Sequence, residues 1–594
     1  MLRLFTEDIV QGSLKDLALI ILRYISKHFA EITILFALVV ALTIKNPGAD
    51  YAKNSFAVIC VLLLSVYSLF KNKDGKQNAV VEWIAFAWLA LLLVNSLLAP
   101  LVTFPLIYAS FLAFIPLLVS SRLFSSLDLE LLYKWLKVLA VLIAAFCLHQ
   151  LWSTGERANF LVIDPNFVGG ILGFFFIAFY FEFLEAPSRK KIILSLLLSV
   201  IIAFGIAATK SRSALVLIVF SCFLYAFLLR NFELKKRVFV ALGLLVIIFA
   251  AWSVIEFIAV ASGEESVIAS RVATAGSSMG VRFEIWEAAF HMFMDDPVWG
   301  KGLGSFYTFY PEYRTELFTA GTFAHNDYLQ FFSEGGVFLG VFYLLLCFGY
   351  FVVFAKNLWQ ENISTVGDRK NRCHIAVQAG TLFLMAQAGV NFIFYIAGSS
   401  LLLALGFSSL AYTYANEQVS GQTSKNDLSI WGKLPRVFAA IFAVIFIAFN
   451  ASLWFSSSAA FDANILTKLN LKLTEEQVAD LEMHVDLNPF IYRPLMPLSE
   501  NALLSVGGEM SKDERLLLKQ RMVKYYNLTA KHLNLRCLNG LLAADFAAEF
   551  PEEKGLMPGT REQILQQTYE VNSKCELYYD LLIGSPVPLE NEQL

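Results

Sequence analysis

The stretch FAHNDYLQFFSEGGVFLG (323–340) sets His325, Asn326 and Asp327 directly before a run that turns wholly apolar. A histidine with an unperturbed pKa of about 6.5 can accept a proton from a hydroxyl held against it at neutral pH. Three other stretches bring cations. GERANFLVIDPNFVGG (155–170) presents Arg157, Asp164 and Asn166 before an apolar run. TKSRSAL (209–215) squeezes Lys210 and Arg212 into a connection with room only for a tight turn. GVRFEIWEAAFHMFMDDPVWGKGLGSF (280–306) puts Arg282 at the start of a predicted amphipathic helix with Trp286, Ala289, Phe290 and Phe293 on one side. Guanidinium stays charged and grips phosphate oxygens in a bidentate fork, so convergent arginines have a natural partner in a diphosphate. A cation at a helix start opposes the macrodipole, which also calls for an anion there. Each group has a plainer alternative: Arg157, Lys210 and Arg212 as anchors that snorkel to lipid headgroups, Arg282 as a solvated helix-start residue, and His325 as a cap or packing residue.

The elements that must carry these residues are membrane helices. Of 594 residues, 57% are hydrophobic and 16% charged, with mean hydropathy +0.61. Soluble domains run at about 45–50% and 25%. Runs long enough to cross a bilayer core fall near 29–45, 55–70, 79–98, 103–120, 131–150, 167–185, 192–208, 213–229 and 238–259. Four more fall near 335–355, 374–393, 397–415 and 436–456, which makes about thirteen. They are too long for barrel strands, so the fold class is all-α, a polytopic helical bundle. The first run ends in KNPGAD rather than a small-residue cleavage site, which reads as an uncleaved span.

Basic clusters such as RKK (189–191) and KKR (235–237) fall on one side, whereas the short connections on the other hold Lys45, Lys53, Arg157, Lys210 and Arg212. The positive-inside rule then places the N-terminus in the cytoplasm. The expected layout is a cytoplasmic segment 1–28, nine spans over 29–259, a large outer loop 260–334, four spans over 335–456 and an outer domain 457–594. That last part is soluble in composition and has apolar residues at spacings of three and four between Pro and Gly breaks, which predicts helical hairpins. Its Cys537 and Cys575 pair as a disulfide if the compartment is oxidising; two separate thiols are the alternative. Cys60, Cys147, Cys222 and Cys347 lie in spans as small apolar residues.

A net charge of −3 argues against a nucleic-acid partner. No His/Cys/Asp/Glu grouping has metal-ligand spacing, no P-loop, GxSxG or HExxH occurs, and GKGLG (300–304) reads only as a flexible turn. Span centres hold few charges, which tilts away from ion-coupled transport. Glu82 and Glu182 read as exposed anchors near the cytoplasmic ends, and His291 as structural. At a membrane surface, the diphosphate that convergent arginines would meet is a polyprenyl-linked sugar.

Taken in order, ERANFLVIDPNFVGGIL, KSRSALV, GVRFEIWEAAFHMFMDDPVWGKGLGSF and AHNDYLQFFSEGGVFLG resemble the O-antigen ligase family, which includes O-antigen polymerases and bacterial protein O-oligosaccharyltransferases. The resemblance implies a GT-C-like enzyme of the bacterial inner membrane with no cofactor. Such an enzyme moves a glycan from undecaprenyl diphosphate to an acceptor hydroxyl at the periplasmic face, without metal and with inversion. The acceptor would be lipid A core, a pilin-like protein or a growing glycan. It makes Arg212 and Arg282 diphosphate ligands and His325 the acceptor-activating residue, with Arg157, Lys210, Asn166, Asn326 and Asp327 as substrate-binding candidates. A large soluble tail looks more like the oligosaccharyltransferases and some polymerases than the ligases that act on lipid A core. A polyprenyl-glycan transporter is the alternative of another class.

Overall fold

The computed structural model describes residues 23–575 apart from 44–50, 72–78, 100–102, 162–163, 186–187, 231, 262–274, 315–322, 361–368, 420–429, 488–492, 507, 533–534, 554 and 572–574. Among the described residues every regular element is a helix. The first five are α1 (Phe29–Leu42), α2 (Tyr51–Lys71), α3 (Ala79–Leu98), α4 (Thr103–Leu112) and α5 (Phe114–Ser120). Next come α6 (Leu129–Thr154), α7 (Pro165–Glu185), α8 (Arg189–Ala208), α9 (Arg212–Leu228) and α10 (Leu234–Ala261). The amphipathic α11 (Ala275–Asp295) and short α12 (Phe306–Tyr313) precede α13 (Asp327–Gln360), α14 (Arg369–Ala388), α15 (Ala397–Val419) and α16 (Ile430–Lys468). The C-terminal region adds α17 (Glu475–Leu487), α18 (Leu495–Ser505), α19 (Lys512–Thr529), α20 (Arg536–Glu549) and α21 (Arg561–Val571).

The protein is a polytopic helical membrane protein. Seven of the described helices are long and apolar enough to cross a membrane, namely α3, α6, α7, α8, α10, α13 and α16, and α1, α2 and α9 are shorter apolar helices. The bundle is organised around α7, which packs against α6, α8, α9, α10 and α14. Between apolar helices in lipid the driving force is close packing, which small residues permit. A Cβ on Gly173 would lie 2.3 Å from the Phe383 ring, and one on Gly205 2.5 Å from Ala144 Cβ.

The single span expected over 103–120 is instead interrupted at Ala113. Pro116 has no N–H to give the carbonyl four residues back. Trp88 Nε1 donates to that Leu112 carbonyl instead, at 3.2 Å. The boundary expected at 456/457 also falls inside a helix, because α16 runs on through SSSAAFDANILTK to Lys468. Composition changes there, but helix propensity does not. Glu82 and Glu182 are not exposed anchors. Glu82 is buried between Arg122 (2.8 Å) and Arg436 (2.9 Å), tying α3, the α5–α6 turn and α16 together. Glu182 accepts hydrogen bonds from Tyr133, Lys137 and Ser195.

The C-terminal helices share a core of Val478, Leu481, Leu498, Met522, Tyr525, Leu541 and Phe546, continuous with the bundle core through Leu453 and Ala460 on α16. Cys537 and Cys575 form a disulfide with Cα atoms 5.2 Å apart. Arg536, beside that bridge, makes an ion pair with Glu312 of α12.

Candidate functional site

At one end of the bundle the chain makes three neighbouring turns. α6 stops at Gly155, whose φ of 69° lets its N–H reach the Leu151 carbonyl. The segment that follows is tied to the end of α8 by Ala158 N–H donating to the Ala208 carbonyl at 3.0 Å. The α8–α9 connection is Thr209–Lys210–Ser211, with Lys210 in the left-handed region at φ 52°. Ser211 then caps α9 by accepting from the Ala214 N–H. This makes Arg212 the first helical residue, a cation at the positive end of a helix macrodipole. Gly169 and Gly170 at the start of α7 let this turn close, since a Cβ on Gly169 would lie 2.8 Å from Ser211 Cβ.

Polar groups link these turns. Arg157 donates from Nε to the Thr209 carbonyl (3.1 Å) and from Nη2 to Asn166 Oδ1 (3.2 Å). Asn166 N–H donates to Asp164 Oδ1 at 2.7 Å. Gln387 of α14 donates to the Asn166 carbonyl (3.3 Å) and to Ser213 Oγ (3.0 Å). Lys210 Nζ donates to the Gly155 carbonyl at 3.4 Å. Arg157, Asn166 and Lys210 are thus parts of one scaffold that holds Arg212.

Arg282 does not start its helix. α11 begins at Ala275, so Arg282 lies two turns in and the macrodipole argument made for it lapses. Burial is what marks it. Burial holds its guanidinium below its ordinary pKa; Asp164 opposes this and nearby Arg212 adds to it. Arg212 and Asp164 therefore both lie within electrostatic reach of Arg282, although the three come from α9, the start of α7 and α11. The buried stripe of α11 is Ile285, Ala288, Ala289 and Met292, packed on Phe306, Phe309, Tyr310 and Ala324. Phe290, expected on that side, is 52% exposed. Phe293 packs edge-on to Phe332 instead. Trp286 donates from Nε1 to the Ala324 carbonyl at 3.0 Å, joining the arginine helix to the residue just before His325.

His325 sits at φ 50°, a backbone conformation uncommon outside glycine, and several contacts hold it there. The Ala324 N–H donates to Gln330 Oε1 at 2.9 Å, and Phe392 packs edge-on to the imidazole with centroids 5.1 Å apart. Burial lowers the imidazole pKa and Arg282 lowers it further, against the opposing influence of Asp164 and the Asn391 side chain. The neutral form is therefore favoured, and Nδ1 has no hydrogen-bond partner among the described residues. A neutral imidazole with an uncommitted nitrogen, near the Arg282 cation, can take a proton while an anion is bound beside it.

Two neighbours of His325 have other work. Asn326 Oδ1 accepts from the Leu329 N–H at 3.2 Å, a helix cap. Asp327, expected to contact substrate, is 0% exposed and turned inward. Its Oδ2 accepts from the Ile393 and Phe394 N–H groups at 2.7 and 2.8 Å. It fixes the backbone that carries Asn391 and Phe392 against the histidine.

The sequence reading missed the groups that brace this assembly. Glu334 is fully buried, with Oε2 accepting from Gly304 N–H (2.7 Å) and Oε1 from Phe306 N–H (2.8 Å) and Gln330 Nε2 (3.1 Å). Asn95 donates to the Trp299 carbonyl and accepts from the Leu303 N–H. GKGLG is therefore not a flexible turn. Gly300, Gly302 and Gly304 all have φ between 69° and 95°, and a Cβ on Gly304 would lie 1.9 Å from Tyr108. Gly336 (φ 62°, ψ −167°) kinks α13, so the short helix after His325 meets the membrane part at an angle. The available signal was an isolated Asn, Gln or Glu inside an apolar run, as at Asn95, Glu334, Gln387 and Asn391. Among the described residues, no group of three or more His, Cys, Asp or Glu side chains is placed to hold a metal.

A multi-pass helical membrane protein with arginines and a histidine gathered at one end of its bundle is the class that fold and site define. The model of the O-antigen ligase family matches residues 197–344, and this supports membership of the chain in that family. No curated protein matches the chain. The matched segment contains Lys210, Arg212, Arg282 and His325, while Arg157, Asp164 and Asn166 precede it. The matched family suggests an activity of the membrane glycosyltransferase type, with glycan and lipid-linked substrates in general.

Proposed function

We propose that the protein transfers an oligo- or polysaccharide from undecaprenyl diphosphate to an acceptor hydroxyl at the periplasmic face of the bacterial inner membrane. The observation that carries this reading is the electrostatic grouping of Arg212, Arg282 and Asp164 with a buried, neutral-leaning His325. The acceptor oxygen attacks the anomeric carbon from the face opposite the diphosphate while its proton passes to His325. The bond from the anomeric carbon to the diphosphate oxygen breaks, and the centre inverts. Charge that develops on the leaving diphosphate falls to Arg212 and Arg282, where preorganised cations act most strongly. Arg157, Asn166, Lys210 and Gln387 position Arg212, and no metal or cofactor enters the step. A glycan, lipid A core or a pilin-like protein would supply the hydroxyl. The C-terminal domain, joined to α12 by Arg536 and Glu312, is suited to steer that acceptor.

The test is transfer by purified protein in detergent, where no compartments exist and a transporter yields no product. Product should form from the lipid-linked glycan and an acceptor. Arg282→Ala and His325→Ala should each lower the rate by about 10²–10³, the scale for loss of one preorganised electrostatic contact. Parental rates in both variants would remove these residues from the mechanism, and a glycosyl group trapped covalently on the enzyme would rule out direct attack.

A further inference from the structure

The helix that carries Arg282 is apolar on two sides. With Arg282, Glu284, Glu287, His291 and Asp295 along it, α11 is not among the described helices apolar enough to cross a membrane. Its buried residues Ile285, Ala288, Ala289 and Met292 form one stripe, packed on α12 and Ala324. At about 100° per residue, Met279, Phe283, Phe290 and Met294 fall within an arc of about 60° on nearly the opposite side. Each of the four is between 39% and 58% exposed. Of the flanks between the two stripes, one carries Glu284, Glu287, His291 and Asp295, and the other Arg282, Trp286 and Phe293. An exposed apolar stripe of this kind marks contact with a protein or a membrane.

The surface that the stripe joins decides between them. α11 packs on α13, with Phe293 edge-on to Phe332. Phe332 belongs to the part of α13 before the Gly336 kink, so α11 rides on a segment that has already left the axis of the span. One short turn beyond the end of α11, the exposed Val298 and Trp299 continue the apolar surface, and Trp299 packs on Phe338 with ring centroids 5.2 Å apart. Phe338 heads the exposed line Val341, Leu345, Phe348 and Val352, spaced three and four apart down a helix long enough to cross the membrane. That line faces lipid. Tryptophan is enriched where hydrocarbon gives way to headgroups, so Trp299 marks the boundary at which α11 ends.

We propose that α11 lies in the membrane interface, with Met279, Phe283, Phe290 and Met294 set among acyl chains of the leaflet at the arginine end and the Glu284 to Asp295 flank in water. A helix with a strong apolar stripe, a charged flank and too little apolar surface to span is the kind that settles there. Arg282, on the flank turned from water, is then held near the depth of the lipid phosphates, where the diphosphate of the proposed donor would lie. That consequence rests on the proposed function; the seating of the helix does not.

The experiment uses full-length protein in bilayers of phosphatidylethanolamine and phosphatidylglycerol, with Cys60, a free cysteine that is not buried, changed to alanine. A nitroxide is placed on single cysteines at Phe283, Phe290 and Met294, and at Glu287, His291 and Asp295, and its collisions with oxygen and with a water-soluble nickel chelate are compared. Labels at the exposed Phe348 of α13 and Asp513 of the C-terminal domain serve as lipid and water references. The three stripe positions should favour oxygen, as Phe348 does, and the three flank positions should favour nickel, as Asp513 does. Nickel preference at all six would overturn the proposal, and so would stripe labels shielded from both reagents, as under a second copy or another protein. Because a label can disturb the helix, a phospholipid with a diazirine on its acyl chain supplies a second reading. It should crosslink to α11 of the parent, and the crosslink should be lost in Phe283→Lys with Phe290→Lys; no crosslink in the parent, or parental crosslinking in the variant, would refute the seating. Neither measurement involves glycan transfer, so the proposed function can fail without it.

Discussion

Replacing Glu334 by alanine tests whether the arginine and histidine elements are held by buried hydrogen bonds rather than by packing alone. The carboxylate receives three donors, the N–H groups of Gly304 and Phe306 and the Gln330 side chain, and all are buried. An orphaned buried donor costs about 1–3 kcal/mol. Taking the low end, because water can enter a cavity left near the membrane surface, gives about 3 kcal/mol for the three. That is roughly a hundredfold shift toward an opened turn. Gln330 also accepts from the Ala324 N–H, so its loosening reaches the backbone next to His325. The assay pairs glycan transfer with maleimide labelling of a cysteine placed at Ser305, which is fully buried in the parent. Glu334→Ala should label at least tenfold faster and transfer at least tenfold more slowly, while Glu334→Gln, which keeps one acceptor oxygen, should fall between. Parental labelling and transfer in Glu334→Ala would refute the clamp.

The acid limb of the transfer rate should have its midpoint below the ordinary histidine value of about 6.5, because burial and Arg282 both lower the His325 pKa. The base works only when neutral, so activity should persist as pH falls through 6.5 and fail lower, and a midpoint above about 6.5 would contradict this. The same depressed pKa means that the unfolded state takes up the proton first, so this group's contribution to stability declines as pH falls below about 6.5. Gly304→Ala should cost folding yield or transfer, since its φ is 71° and the added methyl meets Tyr108; a variant with parental melting and rate would be inconsistent with that geometry. The Cys537–Cys575 bridge closes a sequence separation of 38 residues. By chain entropy its removal should cost about 4 kcal/mol, read as a lower midpoint for a probe in the C-terminal domain, and an unchanged midpoint would count against it.

The helical membrane class was legible because apolar run length reports directly on bilayer thickness. Arg212 and Arg282 stood out by type and motif as candidates, and their electrostatic proximity is what the structure adds. What the sequence hid were relationships. Asp327 reads as a site residue by its neighbour His325, yet its partners are backbone N–H groups more than sixty residues away, which no local pattern reveals. Glu82 looked exposed because its partners lie 40 and 354 residues away. GKGLG looked flexible because glycine permits both mobility and left-handed rigidity, and only the facing Glu334 and Tyr108 decide between them. The start of α11 was placed too late, because AGSSMG carries weak helix formers that hide the first turns of the helix.

The unbroken passage of α16 from bundle to C-terminal domain makes the chain a ruler with a phase. Each residue of an α-helix turns its successors by about 100° and advances them 1.5 Å. The azimuth of the outer domain about that axis is therefore set by the residue count between Pro435 and Lys468, and Arg536 meets Glu312 only at one such count. The length of a single helix, more than its composition, decides which way the domain faces.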